Sequence, residues 1–115
     1  MLPKQNRLKL PVKWDRRAPD IQVSNNLFKV VAKKNLQEEG PKIGFIITTK
    51  VGKSFTRNRL KRKLSELIRP KLTTLKPGIE AIWILHPGIE RAKDEEISLE
   101  VDKALSKLPS QNFLK

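Results

Sequence analysis

The stretch Lys50-Val51-Gly52-Lys53-Ser54-Phe55-Thr56-Arg57-Asn58-Arg59-Leu60-Lys61-Arg62-Lys63-Leu64 decides how this chain is read. Gly52 ends a β-branched run, and Ser54 or Thr56 then stands where a helix N-cap is expected. Leu60, Leu64, Leu67 and Ile68 recur at i, i+4, i+7 and i+8, the spacing of one apolar helix stripe. At about 100° per residue, Asn58, Arg59, Arg62 and Arg69 fall around the opposite pole, with Lys61 and Lys63 beside it. Residues 50–71 hold nine cations (Lys50, Lys53, Arg57, Arg59, Lys61, Arg62, Lys63, Arg69 and Lys71) against one anion, Glu66. A merely wet helix face mixes signs to gain i,i+4 pairs. A single-signed face repels itself unless a polyanion neutralises it, and a nucleic acid backbone does so with release of counterions.

Composition sets the frame around this segment. The 115 residues carry a formal net charge of +13, with 37% hydrophobic and 32% charged residues, enough apolar side chain for one real core. One domain over residues 1–108 is expected, with residues 109–115 a flexible tail. Cysteine is absent and His86 stands alone, so disulfides, thiolate sites and a histidine-built zinc site are excluded. No stretch reads as a signal peptide or a membrane span, so a soluble, cytoplasmic protein is expected. Charge is uneven: from Gly88 onward five cations face six anions, and the excess lies in the first two thirds.

The other elements follow from periodicity. Residues 10–18 read as a short helix with Pro11 at its first position and Pro19 as its stop. Residues 21–23 and 27–32 read as strands, the second alternating Phe28, Val30 and Ala32 with Lys29 and Val31. A polar turn over 35–41, closed by Gly40-Pro41, leads to a buried strand over 43–49, and the pair suggests an antiparallel hairpin. After the basic helix, Pro70 is its expected terminator and residues 79–85 a further buried strand. Asp94 is placed to cap a last helix whose inner face is Ile97, Val101, Ala104, Leu105 and Leu108, with Pro109 beyond. The order αβββαβα describes an α+β sandwich: one mostly antiparallel four-stranded sheet with helices mainly on one face.

Catalytic chemistry is poorly supported. The acids crowd the last helix at solvent-like spacing rather than as a convergent pair. His86 after a strand reads better as a strand-end side chain than as a general base. Ser24, Ser54 and Ser65 lack a nucleophile elbow. Gly52-Lys53-Ser54 lacks the first glycine of a phosphate-binding loop. Arg57 and Arg59 supply planar forks for phosphate oxygens, and backbone N–H groups after Gly52 supply a helix N-terminus. Trp83 and Phe45 read as core. Trp14, beside Lys13, Arg16 and Arg17, either stacks on an unpaired base or packs its segment onto the sheet.

These residues resemble the signature of the bacterial ribonuclease P protein component, a basic strand end leading through glycine to an Arg-Asn-Arg-x-Lys-Arg helix. Lys50, Gly52, Lys53, Arg57, Asn58, Arg59, Lys61 and Arg62 carry the match. Leu2-Pro3-Lys4, Asn6-Arg7-Leu8, Ile43-Gly44-Phe45 and Trp83-Ile84-Leu85-His86-Pro87 support it. The resemblance implies the fold of ribosomal protein S5 domain 2, with a left-handed βαβ crossover. It implies an accessory subunit of an endoribonuclease that removes the 5′ leader of precursor tRNA, the active site and its magnesium ions belonging to the catalytic RNA. No cofactor is expected on the protein, and the partners implied are that RNA and precursor tRNA, bound by a monomer, without a membrane.

The resemblance assigns RNA binding to Lys50, Lys53, Arg57, Asn58, Arg59, Lys61 and Arg62 and implies a leader cleft, for which Trp14's position and the basic strand beside it make Trp14, Phe28 and Lys29 the candidates. The chain departs from the family pattern where Ala18 replaces the second aromatic of a pair begun by Trp14. Val31 stands for a cleft tyrosine, Ser65 for a basic residue and His86 for an arginine. A general or ribosome-associated RNA-binding protein is the alternative. A peripheral membrane binder is a third reading, and it needs an exposed apolar face flanked by cations.

Overall fold

A computed structural model of the chain describes residues 2–34 and 40–108. Four strands, β1 (Ile21–Ser24), β2 (Phe28–Lys34), β3 (Lys42–Ile46) and β4 (Ile79–Leu85), form one sheet in the order β1-β2-β4-β3. Helix α1 (Ser54–Ile68) crosses from β3 to β4, and α2 (Asp94–Ser106) follows β4. The α+β sandwich read from the sequence stands, with two antiparallel strand pairings and one parallel.

Two expectations are corrected. Residues 10–18 form no helix. Their half-buried side chains, Val12 and Trp14, alternate with exposed Pro11, Lys13 and Asp15, a period of two that suits an extended strap. The strap enters the sheet's edge where the Leu8 N–H donates to the Ile43 carbonyl at 2.9 Å, and its Leu10–Pro11 peptide is cis. The hairpin expected between β2 and β3 is also absent, because β4 lies between them. Strand β4 is buried on both faces, Ile79, Ala81, Trp83 and Leu85 on one and Ile82 on the other. Such a strand belongs in the middle of a sheet. The tight hairpin joins β1 to β2 instead. Asn25 Oδ1 accepts from the N–H groups of Leu27 and Phe28 at 2.7 and 2.9 Å, an Asx turn. The polar segment 35–39, Pro109 and the tail lie outside the described residues.

Both expected caps are also corrected. Lys53 and Lys93 occupy the N-cap positions without a side-chain cap bond, so Ser54 and Asp94 are already helical. Asp94, Glu95 and Glu96 still favour the start of α2 through the helix dipole. Strand β3 stops at Ile46, short of the expected 49, because Thr48 and Thr49 carbonyls accept from Val51 and Gly52 in a turn. The α-helix ends at Ile68, just ahead of Pro70 as expected, and a 3-10 turn, Arg69–Thr74, follows directly.

One face of the sheet carries the core. Phe28, Val30 and Ala32 from β2 join Ile79, Ala81, Trp83 and Leu85 from β4 beneath Leu60, Leu64 and Ile68 of α1. Ile97, Val101, Ala104, Leu105 and Leu108 close it from the α2 side, the inner face expected of the last helix. Phe28 and Trp83 rings sit 5.0 Å apart and tilted, a favourable aromatic arrangement. A salt bridge between Lys63 Nζ and Asp94 Oδ1 at 2.7 Å ties the two helices at the surface. Replacing Leu64, which is 0% exposed, with alanine should cost about 2–5 kcal/mol of stability in urea unfolding. A loss under about 1 kcal/mol would mean that α1 is not seated on the sheet as described.

Candidate nucleic-acid interface

The sequence builds the first surface from the turn into α1. Gly52 adopts φ 157°, and a Cβ there would meet Thr56 Cβ and Cγ2 at 3.1 Å. Glycine thus lets the chain enter the helix directly above Thr56. Arg57 Nε donates to the Gly52 carbonyl at 3.1 Å and holds the first helical turn against this loop. Lys50 and Lys53 project from the loop, and both are exposed.

Beyond that turn, Asn58, Arg59, Lys61 and Arg62 are all exposed while Leu60 and Leu64 are buried. The structure therefore gathers all seven residues predicted to bind RNA on one loop and one helix. Among the described residues, the cation of α1 that forms an ion pair is Lys63, with Asp94. Arg59, Lys61 and Arg62 keep their charge available. Arg57 is the exception to a freely projecting set, being half-buried and committed through Nε to the loop. Its remaining guanidinium donors can still serve a phosphate.

The second surface lies on the sheet face away from the helices. Alternation sends Lys29, Val31 and Lys33 of β2 and Glu80, Ile82 and Ile84 of β4 to that side. Lys33 pairs in register with Glu80, which also neighbours Lys42 across β3. The strap crosses this face. Gly44 makes room for it, since a Cβ there would stand 3.3 Å from Leu8 Cβ. Trp14 Nε1 donates to Glu80 Oε1 at 2.9 Å and fixes the strap's far end. Between strap and sheet lies a cleft of about 790 Å³ lined by Lys9, Lys13, Trp14, Lys34, Lys42 and Glu80, among others. Asp20 offsets part of the cleft's charge. Its carboxylate accepts from the Lys34 N–H at 2.9 Å and lies 3.6 Å from Lys33 Nζ. The Lys34 hydrogen bond first, then the Lys33 charge, hold that carboxyl below its ordinary range.

The cleft residues read from the sequence fare unevenly. Trp14 lines the cleft, half-buried, with its ring edge against Glu80, so it packs its segment onto the sheet while still bordering open space. Phe28 is corrected: it is 0% exposed and faces the helices. Strand alternation puts it on the core side with Val30, so no ligand in the cleft reaches it. Lys29 is on the cleft side, paired with Ile84, but beyond the residues that line the cavity. Val31 is buried at 1% exposure. Lys9, Lys34 and Lys42 were missed. For Lys34 and Lys42 the flanks of strands were the available signal. Lys9 had none, because the strap's course is set by tertiary contacts. His86 makes no side-chain hydrogen bond or ion pair among the described residues.

Replacing Gly52 with alanine should lower stability by about 1 kcal/mol in thermal unfolding, and Arg57→Ala should loosen the same loop. An unchanged melting curve for both variants would show that the turn does not depend on this packing.

Comparison with known proteins bears on the family and the fold. A family model described as Ribonuclease P matches residues 2–109. The ribonuclease P protein component of Mycolicibacterium paratuberculosis is 25% identical over 118 residues, covering 96% of this chain and 97% of that protein. That of Beutenbergia cavernae is 33% identical over 70 residues, 61% of this chain and 59% of the relative. The chain spans little more than half the length of the Beutenbergia cavernae relative and of a further one from Streptomyces griseus. Among solved structures, the RNase P protein of Thermotoga maritima superposes with a TM-score of 0.67 at 22% identity over 76% of this chain and 83% of that one. The protein from Staphylococcus aureus gives 0.64 at 22% identity over 94% and 95%. No helix among the described residues is long and apolar enough to cross a membrane. With the family model covering nearly its whole length, the chain belongs to the ribonuclease P protein family.

Proposed function

We propose that this chain is the protein subunit of ribonuclease P, binding the catalytic RNA through α1 and the 5′ leader of precursor tRNA through the cleft. The observation that carries the reading is the exposed face of α1, where Arg59, Lys61 and Arg62 stand without carboxylate partners among the described residues. Cations left unpaired on one rigid helix are the electrostatic footprint of a phosphate-rich partner. The α1 face docks on the folded RNA, with Lys50 and Lys53 extending the contact from the loop. The cleft runs along a separate face, and its lysines suit a single strand of phosphates while Trp14 offers the edge of an aromatic ring.

The chemistry in this reading is the RNA's. Hydrolysis of the phosphodiester bond uses magnesium ions bound by the RNA, and the protein contributes charge and position, as one copy per RNA. Neutralising phosphates lowers the repulsion between catalytic RNA and substrate, so the protein's contribution should be greatest when magnesium is scarce.

Three measurements test this. Adding the chain to ribonuclease P RNA at low magnesium should restore leader removal from precursor tRNA. RNA binding without restored cleavage would instead favour a general RNA-binding protein. Reversing the charge of Arg59, Lys61 and Arg62 together should abolish RNA binding in filter titration and leave circular dichroism unchanged. Retained affinity would refute the role given to α1. Trp14→Ala should weaken precursor tRNA relative to mature tRNA by about fivefold or more, with affinity for the catalytic RNA unaltered. Equal loss for both tRNAs would remove the cleft from leader recognition.

A further inference from the structure

Phe55 is 78% exposed, in the first turn of α1. An amphipathic helix normally turns its large apolar residues inward, and Leu60, Leu64 and Ile68 do so here. Phe55 does the opposite. At about 100° per residue, Asn58, Arg59, Arg62 and Arg69 all fall within about 60° of it, while Leu60, Leu64 and Ile68 lie across the helix. The ring therefore stands on the centre line of the cationic face, at its N-terminal end. Asn58 and Arg59 follow it at i+3 and i+4, where helical neighbours meet. Nothing in the core, loop or strap covers it.

Taking the proposed RNA-binding role of α1 as given, we infer that Phe55 stacks on an unpaired base of the RNA that α1 docks against. The surrounding charge commits the surface to a polyanion, which excludes an apolar protein partner as its main occupant. An aromatic ring amid phosphate-binding groups has one apolar surface to meet on a nucleic acid, the face of a base. Bases inside a duplex are already stacked, so the target is a nucleotide in a loop, a bulge or at a helix end. The arginines fix the flanking phosphates, and the ring makes α1 selective for a place where a base is free. Without Phe55 the face would attract any RNA backbone alike.

The test separates stacking from charge. Affinity for in vitro transcribed ribonuclease P RNA is measured against salt for the wild-type chain, Phe55→Ala, Phe55→Leu, Phe55→Trp and Arg62→Ala. Phe55→Ala should lose about tenfold in affinity with the slope of log K against log salt unchanged. Arg62→Ala should reduce that slope by about 0.9. Phe55→Trp should bind at least as well as wild type, and Phe55→Leu should resemble the alanine variant. Chemical probing of the RNA should show a reactive nucleotide that wild type protects and Phe55→Ala does not. Alanine within twofold of wild type would overturn the inference, as would leucine equal to phenylalanine. Failure of the wild-type chain itself to bind would instead sink the role proposed for α1, which keeps the two readings apart.

Discussion

The seating of the α1 stripe on the sheet is the contact on which the rest of this molecule depends. Leu60, Leu64 and Ile68 lie above the strand centre, where Trp83 packs against Phe28. A helix has one rotational setting that buries such a stripe. Once it is taken, Arg59 and Arg62 point to solvent with no further instruction. The cationic face is thus the geometric complement of the core face. A change that rotated α1 would damage stability and charge presentation together.

Strand β4 plays the matching part within the sheet. It accepts β2 on one side and β3 on the other, and it is apolar toward both faces. On the helix side it supplies the floor of the core. On the other side Ile82 and Glu80 form the floor beneath the strap. The Trp14–Glu80 hydrogen bond closes the strap over that floor, and Gly44 permits its close approach. Two surfaces of different character result: a convex cationic helix face with a projecting aromatic, and a concave lysine-rich cleft. In the proposed role these suit two different polyanions, a folded RNA and an extended single strand.

The elements nearest the signature were legible in the sequence because their information is local. The spacing of Leu60, Leu64 and Ile68 fixed a helix and its buried side, and with it the exposure of Asn58, Arg59, Lys61 and Arg62. The run from Ile79 to Leu85 announced a buried strand, and its observed bounds agree. Phe28 could have been placed correctly by the same logic. Its alternation with Lys29 already put the two residues on opposite faces, so they cannot share a cleft.

By itself, then, the sequence determined the α+β class, the inward and outward sides of α1 and α2, and the cationic character of the exposed α1 face. These follow from periodicity and charge density, which act over a few residues. Tertiary structure alone decided that β4 separates β2 from β3, and that residues 10–18 form a strap rather than a helix. It also brought Lys9, Lys34 and Lys42 around one cleft with Trp14. Each of those outcomes joins residues tens of positions apart, as in the 2.9 Å bond from Trp14 to Glu80. Such a bond exists only once the sheet has formed, and no local pattern encodes it.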